Sequence, residues 1–222
     1  MEPLILYFVL FFPGVYSLGS SGGVSQGIEL YETIPFSMIR ELGRTFTYTI
    51  PSLALLWYLI PDKKGFSALK QEKPGKKDFL PFAVSLPGLI FIGLGISLLV
   101  SLLSRYQNFS PPLKEEAPAT SLGWTVLVFS CLGTGYLEES YFRYYLLTKL
   151  ENQLPMAAMR IIFSTVLFSL CHFYEGPWGI INATLAGLLL SVLFIRYRSL
   201  HGIAWAHGAY NIFVYVMGNI GS

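Results

Sequence analysis

Apolar residues occur along this chain in long blocks separated by short polar stretches. Seven blocks can be drawn, at roughly 3–18, 44–61, 79–104, 121–137, 156–173, 178–196 and 201–219. Each is close to the ~20 residues that an α-helix needs to cross a bilayer. No internal repeat is visible. The pattern predicts an all-α fold, a polytopic membrane helix bundle of about seven transmembrane helices. The longest polar insert is PDKKGFSALKQEKPGKKD, residues 61–78, with six lysines; the next is the Pro-rich, nearly neutral RYQNFSPPLKEEAPAT, residues 105–120.

Composition points the same way. Of 222 residues, 53% are hydrophobic and 13% charged, against about 25% charged in a soluble domain. The net charge of +2 is too small to argue for nucleic acid. Tyrosines near the block ends suit anchoring at the membrane interface. The two cysteines, Cys131 and Cys171, lie in apolar blocks and read as buried thiols, not as a disulfide framework. The N-terminal run MEPLILYFVLFFPGVYSLGSSGG has Glu2 as its only charge. A secretory signal wants a basic start, so the run reads as a first membrane segment, shortened or bent at Pro13 and Gly14.

Lysine and arginine placement sets the expected orientation. With residues 61–78 in the cytoplasm and sides alternating, eleven basic residues fall inside: Lys63, Lys64, Lys70, Lys73, Lys76, Lys77, Arg143, Lys149, Arg160, Arg196 and Arg198. Four fall outside: Arg40, Arg44, Arg105 and Lys114. The N-terminus is therefore expected in the cytoplasm.

One stretch breaks the apolar pattern: GTGYLEESYFRYYLL, residues 133–147, with Glu138, Glu139 and Arg143. Each unpaired charge near the centre of a membrane helix costs ~2.5–3.5 kcal/mol, and a leucine returns only ~0.3–0.6 kcal/mol. Compensation is required. Glu139 and Arg143 stand i, i+4 and can meet on one helix face; Glu138 points about 100° away. Gly133 and Gly135 just before them mark either a helix break or a close-packing point. His172 closes one apolar block a turn after Phe168, and His207 lies within another, a turn before Asn211. Ionisable groups inside a membrane tend to face the bundle interior and mark a site. A glutamate, two histidines and an asparagine converging in a polar intramembrane cavity could activate water, orient it and stabilise an oxyanion.

Taken in order, Glu138-Glu139-x-x-x-Arg143, Phe168-x-x-x-His172 and His207-x-x-x-Asn211 resemble the CPBP family of intramembrane proteases, which includes the type II CAAX prenyl endopeptidase and bacterial abortive-infection proteins. The resemblance covers about residues 121–219, a protease-like core; residues 1–120 would add N-terminal transmembrane helices and the cytoplasmic loop. It implies an intramembrane endopeptidase acting on a membrane-associated peptide or protein tail. Glu138 would be the general base. His172 would bind or polarise the water, and His207 and Asn211 would stabilise the oxyanion. Glu139 and Arg143 would hold the site together, with a direct part for Glu139 also described in the family. Both a glutamate-type and a metal-dependent mechanism stay open. Glu138, His172 and His207 would be the zinc ligands if there were one, although no His-Glu-x-x-His is present. Expected partners are the substrate and the lipid bilayer, with no nucleic acid. The expected location is a bacterial inner membrane. The alternatives are a non-catalytic immunity or scaffold protein of the same fold and a transporter, for which the internal symmetry of transporter halves is missing.

In straight helices the two histidines would not meet. His172 would sit at the outer end of its block, and His207 about 10 Å from the inner start of its own, at 1.5 Å per residue. Convergence therefore requires the block 156–173 either to begin deep in the membrane or to be displaced outward. The orientation has its own test: a cysteine at Ser67 is expected to resist an impermeant thiol reagent in intact cells, and ready labelling would invert the topology.

Overall fold

The computed structural model describes residues 2–11, 36–59, 73–103, 116–151 and 153–220. Seven helical segments are present among them, and no strand. α1 is Glu2–Leu10. α2 runs through Met38–Arg44, a π-helical Thr45–Thr49 and Ile50–Leu59. α3 is Lys76–Leu103, opening with a 3-10 turn. α4 runs through Ser121–Glu139, a π-helical Ser140–Leu146 and Leu147–Lys149. α5 is Ala157–Cys171, α6 is Gly176–Tyr197 and α7 is Leu200–Ile220. Both cysteines are free thiols.

The expected blocks recur as α3 and α5–α7 with ends shifted by a few residues. α2 starts earlier than its block, because Ser37 caps its first turn by accepting from the Arg40 amide. Pro13, Gly14 and most of the lysine-rich loop lie outside the described residues. Among the described residues two helices, Lys76–Leu103 and Phe173–Tyr197 (which includes the 3-10 turn before α6), are long and apolar enough to cross a membrane. α5 is apolar but shorter, and α4 and α7 carry the polar residues. In the most apolar window of α3 only 17% of residues are buried. The core helix of a soluble protein covers such a face; here Phe91, Leu98 and Leu102 are exposed.

α7 packs between α3 and α4, α6 packs between α3 and α5, and α2 lies along α4. One core joins them and includes Leu6, Tyr7, Leu10 and Phe11 from α1 and its end, so α1 is an integral part of the bundle. The starts of α3 and α7 are tied at one end. Asp78, almost fully buried, accepts from the Gly75 amide at 2.8 Å and from Ser199 Oγ at 2.5 Å. Ser199 Oγ in turn caps α7 by accepting from the Gly202 amide at 3.0 Å. The same end gathers Glu2 with Lys149, at 3.1 Å, and Glu151 with Arg160 and Arg198, at 3.2 and 3.6 Å. These contacts join the start of α1, the ends of α4 and α6 and the start of α5, as helices alternating in direction require.

Gly133 and Gly135 do not break α4; the helix is continuous through them. Gly135 is the close-packing point. A Cβ there would lie 2.8 Å from both the Ala204 carbonyl oxygen and the Gly208 amide nitrogen, and a Cβ on Gly208 would lie 2.9 Å from Leu132 Cα. The α4 and α7 backbones approach closely because both positions lack side chains. Backbone cannot yield as a flexible side chain does. Gly135→Val is therefore expected to destabilise the bundle by at least the ~1–3 kcal/mol typical of overpacking, read as a lower thermal unfolding midpoint in detergent. An unchanged midpoint would show that the α4–α7 contact is not close-packed.

Candidate active site

The close α4–α7 contact sets the site one turn further along α4. Glu139 and Arg143 have no solvent exposure, and Arg143 Nη1 donates to Glu139 Oε1 at 3.1 Å. The same carboxylate oxygen lies 2.8 Å from His207 Nδ1 on α7. A carboxylate only accepts, so Nδ1 carries the proton. That fixes the ring so that Nε2 faces Glu138, whose Oε2 is 3.6 Å away. His207 thus spans the two adjacent glutamates. Glu138 Oε2 is buried and has no hydrogen-bond partner. A buried, unpaired carboxylate oxygen is rare in a folded protein and calls for an explanation such as a catalytic role or an ordered water.

Arg143 keeps its charge in the interior through several contacts. Its Nη2 donates to the Gly187 carbonyl on α6 at 3.3 Å. Its Cζ lies 4.3 Å from the Phe168 ring centre and 5.8 Å from that of Phe142, within reach of a cation–π attraction. Glu139 supplies the opposite charge. The expected pairing of Arg143 with Glu139 is present and this shell completes it, so the residue does not belong among the loop cations. Removing it from the orientation count leaves ten basic residues on the inner side.

The π-helical stretch Ser140–Leu146 begins directly after Glu139, and all seven of its residues are buried. Such wide turns in α-helices are frequent at functional sites. Neighbours brace this one: Ser164 Oγ on α5 donates to the Phe142 carbonyl at 2.8 Å.

His172 reaches the same place from α5. Its ring lies 4.6 Å from Phe168, centre to centre, and Phe168 lies 6.0 Å from His207. Both histidines therefore contact one phenylalanine, and the longitudinal mismatch expected of straight helices does not keep them apart. His172 Nδ1 sits 2.8 Å from the Phe168 carbonyl oxygen. That oxygen accepts, so Nδ1 is protonated and Nε2 points away from the helix. Asn211, one turn beyond His207, is half-buried, and among the described residues its amide bonds none of this cluster. The structure thus bonds Glu139, Arg143 and His207 directly, sets Glu138 beside His207, brings His172 in through Phe168, and leaves Asn211 at the margin.

Glu138, His172 and His207 could be metal ligands on chemical grounds. Among the described residues, however, no three His, Cys, Asp or Glu side chains are grouped to hold a metal ion. The Nδ1 atoms of both histidines are already engaged, and no step below runs through a metal.

Three features escaped sequence reasoning. Glu175 Oε1 lies 4.0 Å from His172 Nε2; the i, i+3 spacing His172-x-x-Glu175 was the available signal. Gly187 supplies a carbonyl to Arg143, for which no sequence signal exists. Glu41, Arg44 and Ser130 form a closed set, with Arg44 Nη2 to Glu41 Oε2 at 2.7 Å, Arg44 Nη2 to Ser130 Oγ at 2.8 Å and Ser130 Oγ to Glu41 Oε2 at 2.6 Å. It fixes α2 to α4; the sequence places only Arg44 of the three, among the outer-side cations.

Residues 120–213 match the family described as type II CAAX prenyl endopeptidase Rce1-like. The matched segment holds all three motifs and is similar to that family of prenyl endopeptidases. No curated protein and no solved structure matches the chain.

Breaking one member of a buried ion pair typically costs ~3–5 kcal/mol. Arg143→Ala is expected to lower the yield and thermal midpoint of folded protein in detergent, because Glu139 and the Gly187 carbonyl lose their donor. A variant that folds like the parent but has lost its activity would instead give Arg143 a direct chemical role.

Proposed function

We propose that this chain is an integral membrane endopeptidase that hydrolyses a peptide bond in a membrane-associated peptide or protein tail, using water activated by Glu138. The observation that carries this reading is the buried, unpaired Glu138 Oε2 beside His207. The Rce1-like match adds the protease class.

Glu138 Oε2 takes a proton from water as general base. His172, with Nδ1 committed to the Phe168 carbonyl, has Nε2 available to accept from the same water and hold it. The resulting hydroxide attacks the scissile carbonyl carbon, and the carbonyl oxygen becomes an oxyanion. The Asn211 amide donates to that oxyanion, and His207 does so from Nε2 as the imidazolium, with a proton on each ring nitrogen. Glu138 then passes its proton to the leaving amine, so the water is divided between the two products. Glu139 and Arg143 act by position: their bond, and the Glu139 hold on His207 Nδ1, fix the imidazole without taking up a proton. A buried site makes each of these interactions count for more, since water does not compete for the donors.

The exposed apolar face of α3 supports placement in a bilayer, with the N-terminus in the cytoplasm by the basic-residue count. The lipid bilayer and a lipid-associated substrate are then the partners, and a bacterial inner membrane is the proposed location.

Glu138→Gln keeps the shape and removes the base. It is expected to abolish cleavage while leaving the thermal midpoint and elution profile unchanged. Asn211→Ala is expected to lower kcat by ~10²–10³, the scale of one lost oxyanion donor, with KM little changed because such a donor acts mainly in the transition state. Undiminished cleavage by Glu138→Gln would overturn the mechanism. Loss of cleavage after verified metal removal, restored by zinc, would transfer the water's activation to a metal.

A further inference from the structure

α1 lies outside the segment that matches the protease family, yet several tyrosine hydroxyl bonds converge on it. Tyr7 Oη donates to the Leu167 carbonyl in the last turns of α5 at 3.1 Å. Tyr141 Oη, from the π-helical stretch of α4, donates to the Pro3 carbonyl at 2.6 Å, and Tyr145 Oη to the Glu2 carboxylate at 2.7 Å. Tyr48 Oη, from the π-helical stretch of α2, donates to the Leu10 carbonyl at 2.7 Å. Hydrogen bonds have direction, as apolar packing does not. Four of them, reaching three helices, fix the rotation and height of α1 against its neighbours.

A layer of rings continues from there to the site. Phe11 lies 5.0 Å from Tyr141 and 4.9 Å from Phe142, centre to centre. Phe142 meets Phe168 edge-on at 5.1 Å. Phe168 touches Arg143, His172 and His207. Tyr7 holds the carbonyl of Leu167, the residue next to Phe168, whose own carbonyl orients His172. Tyr141 and Tyr145 flank Arg143 in sequence. Three of the four residues that these bonds join to α1, Leu167, Tyr141 and Tyr145, therefore lie within two positions of Phe168 or Arg143.

We propose that α1 is a positioning element of the catalytic centre. It sets the register of the π-helical stretch 140–146 and of the last turns of α5, and through Phe142 and Phe168 it holds Arg143 and His172 in place. This rests on the peptidase reading above. No residue of α1 touches a reacting group. Its effect is on geometry, and misplacement by about 1 Å from a distant change can lower a rate ~100-fold.

The test uses the full chain, purified in detergent, as wild type, Tyr7→Phe and Tyr7→Phe with Tyr141→Phe. Both substitutions keep the rings and remove only hydroxyls. Cleavage of a quenched-fluorescent farnesylated peptide is measured alongside amide hydrogen exchange. The expected result is a fall in kcat of ~10–100-fold with KM unchanged, and faster exchange in 139–146 and 168–172 but not in 79–103. Unchanged kcat and exchange would overturn the proposal. So would a smaller folded fraction whose kcat per folded molecule equals that of wild type, since that is packing alone. If wild type itself does not cleave the peptide, the peptidase reading loses support separately, and exchange still decides whether α1 holds the two segments: no local change refutes it.

Discussion

A guanidinium with no solvent exposure sits at the centre of this bundle, and its neutralisation organises the helices around it. Arg143 draws on Glu139 in its own helix, on a backbone carbonyl of α6 and on ring faces from α4 and α5. Taking such a charge out of water costs several kcal/mol even after relaxation. That cost is offset only when every one of these groups is in place together. Three helices, α4, α5 and α6, are thereby required to meet at one point. Glu139, fixed by Arg143, in turn fixes His207 on α7, and His207 faces Glu138.

The path of α4 follows from the same demand. An uninterrupted α-helix from Ser121 to Lys149 would present its faces in steady rotation. The π-helical turn widens the helix directly after the glutamates, and the residues there are buried on all sides. Close approach of α4 and α7 at Gly135 and Gly208 puts Glu139 and His207 at bonding distance one turn later. Small residues bring the backbones together, and polar side chains then bond across the contact. This is the usual division of labour between helices that have no hydrophobic drive to associate within lipid.

The N-terminal helices are bonded to the helices that carry the candidate site. α2 is clamped to α4 by Glu41, Arg44 and Ser130, and α1 by tyrosine hydroxyls. Between these clamps the outer faces of the helices carry apolar side chains that are exposed among the described residues. Polar contacts are concentrated inward and apolar surface outward, the reverse of the arrangement in a soluble domain.

The sequence by itself determined the helical class, the limits of α3 and α5–α7 to within a few residues, and which polar groups stand inside apolar blocks. It could do so because these are local properties: block length, the cost of a charge among apolar residues, and the spacing that puts Glu139 and Arg143 on one face. It left open whether Gly133 and Gly135 end a helix, and could not give the π-helical turn or the role of Gly187. Nor could it show that His207 binds Glu139 while Asn211 stands apart, or that α1 is bonded to α5. Those depend on contacts between residues far apart in the chain, 68 positions for His207 and Glu139 and 160 for Tyr7 and Leu167. A hydroxyl or a ring nitrogen finds its partner only after the helices have packed, and the packing is set by the fit of whole faces, which no local spacing encodes.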